Sequence, residues 1–512
     1  MIKILLQGHD YKYEIAEFLK LFTSEFSFID GSEDFDVINQ VDILMSQLYI
    51  GKTDQKIRVS ATSQVISDGE ILFNNSIEEE YLLEEKKFAK NNKKIDNIVK
   101  TMSKRVIQKS MYPYFVDKYK IDLPWGILTG IRPVKKIHSL LDEGMDYEEI
   151  GKFMIDKYLI SEEKLELILN IAKRERKFIY PLSENKISMY VSIPFCPSRC
   201  VYCSFPSNTL SEFGDVRDKY IEKLLWEIEG THRQIMEGKK EIETLYIGGG
   251  TPTSLEAKQL DRLMSGLKNI LDFTNIKEFT VEAGRPDTID EEKLLVLKNH
   301  KVSRISINPQ SMNEDTLLKI GRKHSVDDIK SVFKLARKMG FDNINMDLIL
   351  GLPGEDPNMV KNTIKEILEL NPENITVHTL ALKRTSEISM NIEKYREGFT
   401  DYNNMVDMIS ICKEELSKNG YNPYYMYRQK HMLGNLENIG YSKKGFECLY
   451  NMQIMEERQT NMAFGAGAVS KFVYLDEDRL ERVDDVKNLE IYLERVDDMI
   501  NKKIREVRKN GD

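Results

Sequence analysis

Cys196, Cys200 and Cys203 stand in the stretch ISMYVSIPFCPSRCVYCSF, residues 187–205, directly after an alternating apolar run that reads as a strand. Thiolates at CxxxCxxC spacing can wrap one loop around three corners of an iron-sulfur cube, leaving the fourth iron without a protein ligand. Such an open iron is a place to bind a small chelating molecule. A structural zinc site wants four ligands, usually as two separated pairs, and no second CxxC occurs in the chain. Disulfides are disfavoured as well. The start MIKILLQGHDYKYE places an acidic and a basic residue where a signal peptide needs an unbroken apolar core, so a reducing, cytoplasmic location is expected. Cys412 and Cys448 are isolated and read as buried structural residues.

This stretch resembles the radical S-adenosylmethionine (SAM) superfamily. More narrowly, YVSIPFC from Tyr190 to Cys196, followed by CVYC, is similar to the oxygen-independent coproporphyrinogen III oxidase group, which reads YxHIPFC and CxYC; the similarity covers residues 187–475. The resemblance implies a 4Fe-4S cluster held by Cys196, Cys200 and Cys203, with SAM bound to the open iron through its amino and carboxylate groups. An injected electron then breaks the sulfonium and releases a 5′-deoxyadenosyl radical.

A loop of this kind must be held by regular elements. After Lys186 candidate strands near 187–193, 243–248, 278–282, 302–307, 343–349 and 374–380 alternate with helical stretches. That rhythm implies parallel strands with right-handed crossovers, a barrel or an open α/β sheet. Together with the resemblance it gives a partial (β/α)6 barrel, in which ligands gather at the carboxyl ends of the strands. The second strand ends in Gly248, Gly249, Gly250, Thr251 and Pro252, where missing Cβ atoms let a ligand approach the backbone. As a phosphate loop it fails, having neither the Lys-Ser/Thr ending nor the G-x-G-x-x-G spacing.

Carried onto these strand ends, the resemblance implies that Tyr190, Gly249, Gly250, Thr251, Glu282, Gln310, Arg322 and Asp347 bind SAM, with Arg322 offering paired donors to a carboxylate. It implies oxidative decarboxylation of coproporphyrinogen III propionates to vinyl groups, fed by a low-potential donor such as a flavodoxin or ferredoxin. Three positions depart from the pattern. Ser192 replaces the histidine, Phe205 stands where the best-known oxidases carry a fourth cysteine, and Arg285 precedes Pro286 where the wider family has Asp or Asn.

The flanks are expected to form a small α/β domain with a basic helix over 1–112, a helical connector over 113–186 and a C-terminal α+β domain over 401–512, around a barrel over 187–400. Residues 76–112 read as helical and carry Lys86, Lys87, Lys90, Lys93, Lys94, Lys100, Lys104, Arg105 and Lys109, a solvated face or a site for RNA or a polycarboxylate. Trp125 and Arg132, in DLPWGILTGIRPVKK, either line a site or pack a tight turn. Tyr421, Tyr424, Tyr425 and Tyr427 precede Arg428, Lys430 and His431, and aromatic faces beside cations suit a carboxylate-bearing macrocycle. Arg428 is the candidate propionate clamp. The long amino-terminal extension, CSFPS and TGIRP resemble the longer second type of anaerobic coproporphyrinogen dehydrogenase.

A length of 512 residues with 41% apolar content supports about two to four globular domains. The net charge of -9 argues against a nucleic-acid footprint over the whole protein, and no apolar run approaches the roughly 20 residues of a membrane span. The rival readings are a cluster-bearing haem chaperone without decarboxylase activity, and radical chemistry on haem or on RNA.

Overall fold

The computed structural model describes residues 1–29, 42–53, 55–83, 92–121, 123–205, 208–237, 239–429, 436–477 and 479–509. The chain divides into two units, Met1–Leu169 and Asn170–Asp512. In the first, β1 (Ile2–Gln7), β2 (Phe26–Ile29), β3 (Ile43–Lys52), β4 (Lys56–Ser67) and β5 (Glu70–Leu82) form one sheet in the order β2-β1-β3-β4-β5. β1 runs parallel to β2 and β3, and β3, β4 and β5 follow as antiparallel neighbours. Asp68 and Gly69, at φ 50° and 81°, make the tight hairpin turn that an Asp-Gly pair favours. Ile57, Val59, Ala61 and Val65 of β4 alternate inward and pack with Met102, Val106 and Phe115 of the helix Asn92–Tyr119.

The helical reading of residues 76–112 is corrected here, because the chain stays in β5 as far as Leu82. Ile77 and Tyr81 are four apart, a spacing that puts side chains on one face of either a helix or a strand. Pairing along β4 decides between them. The basic residues are partly engaged: Arg105 Nε donates to Glu79 at 2.9 Å and Lys109 Nζ to the Asp156 carbonyl at 2.5 Å. Lys86, Lys87 and Lys90, and the side chains of Lys93 and Lys94, lie outside the described residues. Trp125 is buried in a turn fastened by Ile127 N to Tyr158 O and Ser161 N to Pro124 O, each 2.9 Å, so the packing reading holds for it.

The second unit is built on β6 (Lys186–Ile193), β9 (Glu241–Gly249), β10 (Glu278–Gly284), β11 (Arg304–Ile307), β12 (Ile344–Leu350) and β13 (Asn374–Thr379). These six are parallel neighbours in chain order, as the strand-helix rhythm predicts. Amphipathic helices, among them Ala257–Ile270 and Val326–Lys338, return the chain between strands and bury Leu260, Leu263, Ile329 and Phe333. The short strands β7 (Phe195–Cys196) and β8 (Asn208–Thr209) form a separate pair that brackets the cysteine loop.

Residues after 400 extend this sheet at both edges. β14 (Asn422–Arg428) and β15 (Glu437–Ser442) add antiparallel beyond β13; β16 (Thr460–Phe464) pairs in parallel with β6, followed by β17 (Val469–Tyr474) and β18 (Arg479–Asp484). The loop after β16 is tied to the barrel by buried polar groups. Tyr220 OH donates to Ser192 O at 2.7 Å and accepts from Ala466 N at 3.1 Å. Glu227 accepts from Gly465 N at 3.0 Å, from Tyr492 OH at 2.6 Å and from Lys503, whose ammonium also reaches Asp485 at 2.5 Å. No helix among the described residues is long and apolar enough to cross a membrane.

Candidate functional site

Parallel strands leave their carboxyl ends open on one side of a barrel, and there the second unit has a cavity of about 360 Å³. Cys196, Cys200 and Cys203 line it. Their loop is fixed by backbone bonds to the end of β9, Thr251 N to Phe195 O and Gly250 N to Ile193 O at 2.8 Å, and to the end of the helix Glu314–Lys319, Val201 N to Ile320 O at 3.2 Å. Within the loop, Cys203 N donates to Cys200 O at 3.0 Å. Burial pushes the Cys196 thiol up to about 11, against the hydroxyl of Thr251 at 3.5 Å, and burial also raises Cys203. Deprotonating such thiols calls for the positive charge of a metal.

The glycines after β9 form a cradle that a side chain would fill. A Cβ on Gly250 would lie 2.7 Å from Phe195 O and 3.0 Å from Cys196 Sγ, and one on Gly248 2.9 Å from the Glu282 carboxyl. Gly249 adds a φ of 110°, which L side chains rarely adopt.

In the same cavity, Glu282 accepts from Tyr246 OH at 2.6 Å. Burial lifts its carboxyl to about 7, the Tyr246 bond opposing and the Asp347 charge adding to the rise. Asp347 behaves differently. Burial would raise it, but His378 and Asn345, the latter donating at 2.7 Å, hold it below the ordinary carboxylate range. Tyr190 lines the same cavity, stacked on Tyr246 and Tyr450 at ring separations of 6.0 and 6.3 Å. Gln310 is held at φ 67°, outside the usual region for its type, by Gln310 N to Asp347 O and Ile349 N to Gln310 O, both 3.0 Å. Arg322 is buried, its guanidinium donating to Asn308 O and, at 3.2 Å, to Tyr202 OH.

Of the residues singled out from the sequence, the three cysteines, Tyr190, Gly249, Gly250, Thr251, Glu282, Gln310, Arg322 and Asp347 share this cavity. Arg428 does not, which corrects its reading as a clamp. Alternation along β14 and just past its end turns Tyr427 and Gln429 to the cavity and Arg428 to the other face, where it is buried. Lys430 and His431 lie outside the described residues. The sequence reading missed Arg285, Asn308, His378, Lys383 and Gln429 as lining groups. Strand-end position was the available signal for His378, next to last in β13. Ser192 faces Ala466 O at 3.2 Å, and Phe205 stands exposed at the cavity edge.

The donor set fits a cluster carrying a small polar ligand. Three thiols sit beside the glycine cradle, and Gln310 Oε1, Asn308 Oδ1 and Arg322 Nε are buried there with no hydrogen-bond partner among the described residues. Buried polar atoms are almost always satisfied, so such a group of exceptions marks where a polar ligand belongs.

Comparison with known proteins agrees. Residues 190–367 match the model of the radical SAM superfamily. The chain is 42% identical over 386 residues to the oxygen-independent coproporphyrinogen-III oxidase-like protein HemZ of Bacillus subtilis, covering 74% of this chain and 76% of that protein. It is 32% identical over 302 residues to the heme chaperone HemW of Bacillus subtilis, covering 59% and 74%. Among solved structures, coproporphyrinogen III oxidase (HemN) from Escherichia coli shares the fold, with a TM-score of 0.51 at 24% identity over 64% of this chain and 73% of that one. The protein is thus a radical SAM enzyme, with a 4Fe-4S cluster and SAM as its cofactors, and it belongs to the family of oxygen-independent coproporphyrinogen III oxidase-like proteins.

Proposed function

We propose that this enzyme oxidatively decarboxylates propionate side chains of coproporphyrinogen III to vinyl groups, forming protoporphyrinogen IX. In this reading Cys196, Cys200 and Cys203 hold the cluster, and Tyr190, Gly249, Gly250, Thr251, Glu282, Gln310, Arg322 and Asp347 hold SAM. The observation that carries it is one cavity uniting the thiols, polar atoms without a partner among the described residues, and exposed cations, Arg199 and Lys383, in its lining. Burial lowers Lys383 from its ordinary range, yet it remains a donor for a carboxylate.

The bound cluster and SAM supply the one-electron oxidising power that takes a hydrogen atom from the β-carbon of a propionate. The carboxylate then leaves as carbon dioxide, one electron passes to an external one-electron acceptor, and the vinyl group remains. The chain's own part is positioning and water exclusion. Glu282, ionised when paired with a cation, accepts from an ammonium; Asp347, held ionised by its neighbours, accepts from hydroxyl groups. Tyr427 and Gln429 supply the wall contributed by residues after 400. Support for the tetrapyrrole comes from the relative HemZ and from the cationic lining.

A second reading, a haem chaperone that keeps this site without decarboxylating, is favoured by the likeness to HemW. Protein reconstituted without oxygen and given coproporphyrinogen III, SAM, a low-potential reductant and an electron acceptor is expected to yield vinyl products. Stoichiometric haem binding with no vinyl product, while SAM is still cleaved, selects the chaperone instead.

A further inference from the structure

Arg285 stands where the resemblance to the wider superfamily implies Asp or Asn, and its surroundings give it a defined task. It follows β10 in a turn that places it against the cysteine loop, and it is 4% exposed. Its Nη1 donates to Ser198 Oγ at 2.8 Å and to the Ser198 carbonyl at 3.2 Å, and lies 3.9 Å from Cys200 Sγ. The rest of the guanidinium is gripped by Asp287, Nε to Oδ1 at 2.9 Å and Nη2 to Oδ2 at 2.6 Å. His324, itself buried, stands behind this carboxylate, 3.7 Å from Oδ1. A bidentate pair of this kind fixes the plane of the guanidinium as well as its place. The pair is neutral overall, yet it is oriented: its positive end meets Cys200 and its negative end points away.

We propose that Arg285 is a positioning residue that holds the Ser198–Cys200 turn and raises the reduction potential of the cluster bound by that loop. A donor aimed at a ligating sulfur, and a positive charge beside it, stabilise the form that has gained an electron. Because Asp287 cancels part of the charge, the effect is moderate. The proposal rests on the cluster at the three thiols and is independent of which substrate is used.

The test is a redox titration, followed by electron paramagnetic resonance, of cluster-loaded full-length protein and its variants. Arg285→Met is expected to lower the reduction equilibrium constant about tenfold, a fall of about 59 mV for a one-electron couple, at unchanged iron content. Asp287→Asn, which keeps the guanidinium and removes the opposing charge, is expected to move the potential upward. An Arg285→Met protein with normal iron content and the wild-type potential overturns the proposal. Should that variant fail to retain iron, Asp287→Asn decides alone, and a potential unchanged or lower in it counts against the assignment. A dead tetrapyrrole assay with these shifts intact leaves the inference standing and removes only the substrate reading.

Discussion

The Glu282 carboxyl gives a prediction whose size follows from its burial. Moving a carboxyl from 4.5 to about 7 corresponds to about 3 kcal/mol of preference for the protonated form in the folded protein. Below the unfolded value the group is neutral in both states and this contribution is fully present. As pH rises through the folded value the unfolded chain ionises first and the contribution is lost, about 2 to 3 kcal/mol between pH 5 and 8, with little change beyond. Glu282→Gln stays neutral, so the variant should gain that amount over wild type across the interval. The two tryptophans allow the measurement, since Trp125 lies in the first unit and Trp226 in the second. In a Trp125→Phe background, urea unfolding of metal-free protein followed at Trp226 reports the unit that holds the site. Glu355, raised by burial to about 7, and Asp485, also raised by burial, are common to both proteins and cancel in the difference. A gap between variant and wild type that stays flat from pH 5 to 8 would refute the reasoning.

Other perturbations follow from the same geometry. Lys503→Met leaves Glu227 and Asp485 ionisable with side chains 0% exposed, and should cost about 3 to 5 kcal/mol in the Trp226 transition. Gly250→Ala forces a methyl group against Phe195 O and Cys196 Sγ, so iron uptake on anaerobic reconstitution should fall severalfold, whereas Gly130→Ala, with nothing within 4 Å of its Cβ, should load normally. Lys383→Met should raise KM for a carboxylate-bearing tetrapyrrole severalfold; Arg428→Met, off the cavity, should leave KM unchanged while lowering the unfolding midpoint, because Glu437 is buried beside it.

The sequence by itself determined what depends on neighbours along the chain. The spacing of three thiols, the glycines after a strand and the alternation of strands with helices are local patterns, and each is constrained by geometry that a few residues set. Strand ends in a parallel barrel converge by topology, so residues read at those ends, from Tyr190 to Asp347, came within reach of one cavity without any contact having to be known. Where two periodicities coincided, local reasoning had no means to choose, and Ile77 and Tyr81 took a strand only because β4 was available to pair. The face that Arg428 presents likewise depends on the register of β14 against β15. The tertiary structure alone decided that Arg285 meets a sulfur 85 positions away, that His378 steadies Asp347, and that a lysine near the C-terminus reaches Glu227. Long-range electrostatic pairs of this kind leave no periodic trace. They are fixed by packing of surfaces that the chain brings together only once it has folded.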